Sequence, residues 1–199
     1  MTEVDCKTYS DDVCFGKDAP SIDLLEPIKG DKVSIAGNEV CVLYFFNTFY
    51  RGADICNNEF TQFSEKFADK ATIIAISTDA DRAKTEKYLG KDIVDENTKK
   101  PLRLDPPHIV FDNRKEVSKE FAGVSGLSVM SCPMGFIVKD KKIVWRQQFL
   151  QSFTFNQSNF EAQFNHILAG EKLESNGPRP KVVVEEEEAE GMDGDISLF

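Results

Sequence analysis

Paired cysteines are missing from this 199-residue chain. Its five, Cys6, Cys14, Cys41, Cys56 and Cys132, stand apart, with no C-x-x-C and no Cys/His spacing of a zinc site. Histidine is scarce as well, with only His108 and His166. A disulfide framework is therefore excluded, neither a metal nor a cofactor is expected, and the expected compartment is a reducing one, the cytosol. Long apolar runs are also lacking. The longest, Val40 to Phe46, is far too short to span a bilayer, so no membrane partner is expected. The start, Met1 to Asp12, is polar and acidic, without the basic and apolar regions of a leader, so secretion is not expected. In that setting the glycosylation pattern Asn156-Gln157-Ser158 reads as a chance match. No basic stripe is present to neutralise phosphates, which argues against nucleic acid.

The chain does have a core's worth of apolar residues, 41% of the total, in a length suited to one domain. Its charge is lopsided. Residues 181–199 set seven carboxylates against Lys181 and carry six of the ten net negative charges. Ser175-Asn176-Gly177-Pro178-Arg179-Pro180 breaks regular structure, and the Glu run beyond repels itself. The expected organisation is an N-terminal extension over 1–15, one domain over 16–173 and a disordered acidic tail over 174–199. The end of the tail, Asp195-Ile196-Ser197-Leu198-Phe199, joins acidity to an apolar cluster and suits either a solubilising tail or a partner-docking peptide.

Along the body, strand patterns alternate with amphipathic helices, which predicts a layered α/β sheet. Ser21 to Ile35 reads as an extended hairpin around Lys29-Gly30-Asp31. Val40 to Phe46 and Ala71 to Ser77 read as strands buried on both faces. Between them Phe60, Phe63 and Phe67 stripe a helix over 57–68. Thr78 or Asp79 offers an N-cap for a helix running to Leu89, closed by Gly90. Residues 91–107 read as a loop insertion. A strand at His108 to Phe111, a helix at Lys115 to Ala122, a hairpin over 135–149 and a last helix at Asn159 to Ala169 complete the body. There is no internal repeat.

In this order the elements resemble the redoxin branch of the thioredoxin superfamily, which holds the alkyl hydroperoxide reductase/thiol-specific antioxidant proteins and the thiol–disulfide reductases. Gly16-Lys17-Asp18-Ala19-Pro20 is similar to the G-x-x-A-P entry of these domains. Cys41 to Phe46 looks like the strand that leads to their active-site loop. Val110-Phe111-Asp112 with Val117 to Val124 resembles a further family stretch. Cys132-Pro133-Met134-Gly135-Phe136-Ile137-Val138, followed by Lys142-Ile143-Val144-Trp145, resembles their cis-proline loop and hairpin. The resemblance covers about residues 16–170 and implies a thioredoxin-like fold, a central mixed sheet flanked by helices.

Candidate chemistry centres on Cys56, which opens the Phe-striped helix. Unpaired N–H groups and the positive dipole end of a helix favour thiolate, the nucleophile toward peroxides and disulfides. Cys56-Asn57-Asn58-Glu59 is similar to the C-x-x-E around the peroxide-reducing cysteine of peroxiredoxins, and Glu59 is placed to fold back on the helix start. The departures are specific. Phe49 and Ala53 stand where peroxiredoxins carry Pro and Thr, and the family arginine would fall near Pro133. Arg51 is the candidate replacement charge. The resemblance also implies that Cys132, just before cis-Pro133, lies beside Cys56, where the two could form a disulfide if their Cβ atoms approach within ~4.5 Å. Phe45, Phe46, Phe49 and Tyr50 are either core or the lining of a pocket beside Cys56.

Two readings stand. One is a thiol-dependent peroxidase or thiol–disulfide oxidoreductase, with Cys56 attacking, Cys132 resolving and an external thioredoxin-type protein as reductant. The other is a catalytically degenerate module of the same fold that binds a protein partner.

Overall fold

The computed structural model describes residues 6–9, 12–35, 40–50, 53–173 and 176–180. In chain order its elements are β1 (Cys6–Tyr9), β2 (Glu26–Lys29), β3 (Cys41–Phe46), α1 (Ala53–Phe67), β4 (Thr72–Ser77), α2 (Arg82–Leu89), β5 (Ile93–Val94), β6 (Pro101–Leu102), β7 (His108–Phe111), α3 (Glu116–Val124), β8 (Met134–Lys139), β9 (Lys142–Gln148), α4 (Phe160–Ala169) and β10 (Asn176–Pro180). Six of the strands form a mixed sheet in the order β2-β7-β4-β3-β8-β9, with β3, β4 and β7 parallel.

A strand as apolar as β3 must be covered on both faces, and all six of its residues are buried. Alternation divides them. Val42, Tyr44 and Phe46 face a cluster with Phe60, Phe63 and Phe67 of α1, Phe160 and Phe164 of α4, and Phe149 and Phe155 of the segment between β9 and α4. Leu43 and Phe45 face a second cluster with Val117 and Phe121 of α3 and Phe136 of β8. The Phe stripe expected on α1 is thus core, each ring contributing roughly 1.5–3 kcal/mol by burial. Tyr44 stacks on Phe60 with centroids 4.3 Å apart, and Phe149 and Phe155 lie 5.1 Å apart. A Cβ at Gly135 would sit 2.7 Å from Phe160, so the bare glycine lets that ring lie against the sheet.

Several expectations change. The N-terminal hairpin reduces to one strand: β2 pairs with β7, and residues 31–35 form no return strand. Gly30 ends β2 at φ +76°, packed so closely that a Cβ would lie 2.6 Å from His108 Nδ1 and from the Pro107 carbonyl. The cap of α2 is Asp81, whose carboxylate accepts the Ala83 N–H at 2.9 Å, so Thr78 and Asp79 are free for another role. The 91–107 insertion contains the short β5–β6 pair.

Both ends of the body move too. Within 1–15, Asp12 forms a buried ion pair with Arg146 at 2.7 Å and accepts the Cys14 thiol at 3.0 Å. Gly16 and Lys17 exchange backbone hydrogen bonds with Ile143, extending the β9 edge. Within 174–199, expected to be unpacked, β10 pairs antiparallel with β1. β10 also lies against β9. Residues 181–199, with the Glu run and the terminal apolar cluster, lie outside the described residues, as does Arg51. No helix of the described residues is long and apolar enough to cross a membrane.

Candidate active site at the two thiols

Cys56 lies one turn inside α1, which begins at Ala53, three residues before the expected opening. Its side chain is fully buried in the aromatic cluster. The segment between β9 and α4 closes over it: the thiol points to the Leu150 carbonyl at 3.9 Å, and the Phe155 N–H approaches the sulfur. Burial pushes this thiol up to about 12, against the smaller pull of the Phe155 and Cys56 amides, and the Glu59 charge adds to the rise. The expected low thiolate threshold is therefore reversed. Helix-end amides cannot offset the loss of water around a charge held among phenyl rings.

Glu59 does not return to the helix start. Its two carboxylate oxygens accept the Thr154 hydroxyl at 3.2 Å and the Asn156 N–H at 3.0 Å. It therefore ties down the segment that covers Cys56. Phe45 and Phe46 are core, Phe49 is 75% exposed, and Tyr50 is partly buried with its hydroxyl accepting the Gln151 N–H at 3.4 Å.

Cys132 has different surroundings. The Cys132–Pro133 bond is cis, and the Pro133 carbonyl accepts the Phe149 N–H at 3.0 Å. Cys14, Cys41 and Cys56 are buried, whereas Cys132 is only partly so. Its sulfur lies 3.4 Å from the Thr78 hydroxyl, and the Asn47 side chain bonds it as well. Burial lifts this thiol to about 11. Thr78, Asn47 and Lys115 favour its thiolate, and the Asp79 charge opposes it.

The two cysteines are free thiols and pack into different clusters. Cys56 joins the face of Tyr44 and Phe46, while Cys132 packs against the cluster of Leu43 and Phe45. No Cys56–Cys132 bridge is formed in this structure, where both are free thiols, and the Tyr44 hydroxyl of β3 feels them both. Sequence reasoning missed Asn47, Thr78, Asp79 and Lys115, which converge on Cys132 from the ends of β3 and β4 and the start of α3. Thr78-Asp79 did carry a signal, but a polar pair after a strand reads first as a helix cap. Among the described residues no group of three His, Cys, Asp or Glu side chains could hold a metal ion.

No protein-family model matches the chain, and no curated protein sequence matches it. Solved structures do. A hypothetical protein from Sinorhizobium meliloti is 16% identical, with a TM-score of 0.61, over 86% of this chain and 94% of that one. AhpC of Mycobacterium bovis is 20% identical, with a TM-score of 0.54, over 81% and 96%. A protein assigned as the thiol:disulfide interchange protein DsbE of Chlorobium tepidum is 17% identical, with a TM-score of 0.55, over 77% and 97%. With a six-stranded mixed sheet flanked by four described helices and a cis-proline loop at Cys132, this chain has the thioredoxin fold.

Proposed function

We propose that this chain is a thiol redoxin that exchanges disulfides through Cys132 rather than Cys56, with an external thioredoxin-type dithiol completing the cycle. The observation that carries this reading is the environment of Cys132. It is partly open, sits on the cis-proline loop, and has a hydroxyl, an amide and the Lys115 cation placed to stabilise sulfur charge. Cys56, sealed under Leu150 and Phe155, serves the core.

In the forward step the Cys132 thiolate attacks one sulfur of a substrate disulfide. The S–S bond breaks, the departing sulfur leaves as thiolate and takes up a proton, and a mixed disulfide remains on Cys132. A thiolate of the external dithiol then attacks the substrate-side sulfur of that mixed disulfide and releases the Cys132 thiolate. The donor's second sulfur displaces the substrate thiolate as the donor's own disulfide closes. Two electrons pass from donor to substrate and Cys132 returns to thiol.

A second reading, the non-catalytic binding module, is favoured by one observation: the Cys56 and Cys132 thiols are both raised well above the ordinary range. Exposure to oxidised glutathione, followed by mass mapping, separates the two. The redoxin reading expects a mixed disulfide at Cys132 that dithiothreitol removes and that persists in Cys56→Ser. Absence of any adduct at Cys132 in the folded chain overturns it.

A further inference from the structure

Asp79 follows β4 and is 2% exposed, a carboxylate that the exchange step does not use. A buried carboxylate needs partners to replace lost water. Its Oδ1 accepts the Thr48 backbone N–H at 3.0 Å, and its Oδ2 accepts the Thr85 hydroxyl at 2.8 Å and the Ser77 hydroxyl at 3.4 Å. These partners are neutral, and among the described residues no Lys or Arg forms an ion pair with Asp79. The charge is hydrogen-bonded but not cancelled.

The neighbouring residue completes the geometry. Thr78 returns to the Phe46 carbonyl through its N–H at 2.9 Å and its hydroxyl at 3.2 Å, and that hydroxyl also lies 3.4 Å from the Cys132 sulfur. Thr78 therefore touches the thiol while Asp79 holds the loop leaving β3. That loop carries Asn47, itself a partner of Cys132 and the acceptor of the Tyr50 N–H at 3.2 Å.

We propose that Asp79 is a positioning residue for Cys132: its carboxylate locks the 47–50 loop, which carries Asn47, against the end of β4. Its charge also opposes ionisation of that thiol, a brake that adds to the placement. The proposal rests on the reading of Cys132 as the exchanging thiol. Other groups that bear on the same thiol are Lys115 at the start of α3, which favours its charged form, and Tyr44 of β3, whose hydroxyl feels both Cys132 and Cys56. Tyr88 of α2 feels Asp79 in turn.

The test compares Asp79→Asn, which keeps the shape and an acceptor for Thr48 but drops the charge, with Asp79→Ala, which drops both. Site-resolved alkylation by iodoacetamide reads Cys132, and amide hydrogen exchange reads Thr48. Asp79→Asn is expected to speed Cys132 alkylation at pH 8 about threefold, the effect of a shift of about half a pH unit, with Thr48 protection retained. Asp79→Ala is expected to lose at least ~tenfold of the protection at Thr48. If Asp79→Ala does not fold, Asp79→Glu keeps the charge but displaces it. Thr48 protection should then fall while Cys132 stays slow. An unchanged pH–rate profile in Asp79→Asn overturns the brake, and unchanged Thr48 exchange in the displaced or truncated variant overturns the positioning. If both readouts move as expected but oxidised glutathione leaves no adduct at Cys132, the exchange reading fails while the placement of Asp79 stands.

Discussion

Cys56 and Cys132 are two thiols served by one sheet, and they differ in what replaces water around them. Cys56 is surrounded by phenyl rings and backbone, with Leu150 and Phe155 closing the space. Cys132 meets a hydroxyl, an amide, a distant cation and a carboxylate at the rim of the same sheet. A helix N-terminus is the usual reason to suspect a reactive cysteine, yet here the cysteine in the first helical turn is the sealed one. Partial charges on amides count only when the desolvation they work against is modest.

The sharpest way to break this contrast is to remove the aromatic cover. Phe155→Ala should cost about 3–5 kcal/mol in denaturant unfolding, as a large buried ring is lost. It should also raise the alkylation rate of Cys56 more than that of Cys132. If Cys132 gains as much as Cys56, the segment after β9 is not what seals the first thiol.

A milder variant acts on the tether alone. Glu59→Ala removes both hydrogen bonds to the 154–156 segment and should cost about 1.5–3 kcal/mol, the worth of hydrogen bonds to a charged group. Faster Cys56 labelling with Cys132 unchanged supports the tether. No change at Cys56 would leave Glu59 as a surface contact.

Alkaline titration should show the contrast in stability. Cys14 and Cys56 are raised from 9.0 to about 12, and Cys132 to about 11. These thiols lose protons in the unfolded chain first, so their contribution is complete below about pH 9 and is lost as pH climbs through 11 and 12. Each group should account for about 1.4 kcal/mol per pH unit in that window. Urea midpoints that stay level between pH 9 and 10.5 would contradict the burial of all three.

The smallest effect is expected at the Cys132 rim. Thr78→Val removes the hydroxyl shared by the sulfur and the Phe46 carbonyl, at about 0.5–1.5 kcal/mol. It should slow Cys132 alkylation and leave Cys56 untouched. Equal slowing of both would mean that the two thiols share one environment.

The order of strands and helices was legible because it depends on local pattern. The β3 run, the Phe stripe of α1, the β8–β9 hairpin and Gly170 closing α4 each register in a window of a few residues. The ends were less legible. Asp12 reaches Arg146, and β10 pairs with β1, across more than a hundred residues, and no local pattern reports such contacts. The site was the least legible part. Cys56, Glu59, Cys132 and Pro133 were marked, but the roles given to Cys56 and Glu59 depended on burial, which neighbours in sequence do not reveal.

Alternating apolar runs, cap residues and the Cys132-Pro133 pair determined the class of fold and the loop on which a thiol would be presented, since these follow from the chemistry of consecutive residues. Only the tertiary structure decided what surrounds each thiol. Burial of Cys56 is the work of Phe149 and Phe155, nearly a hundred residues downstream, and the polar rim of Cys132 is assembled from Asn47, Thr78 and Lys115 on three separate elements. Desolvation and Coulomb interactions depend on distance through space, and the packing of the sheet and its helices sets that distance.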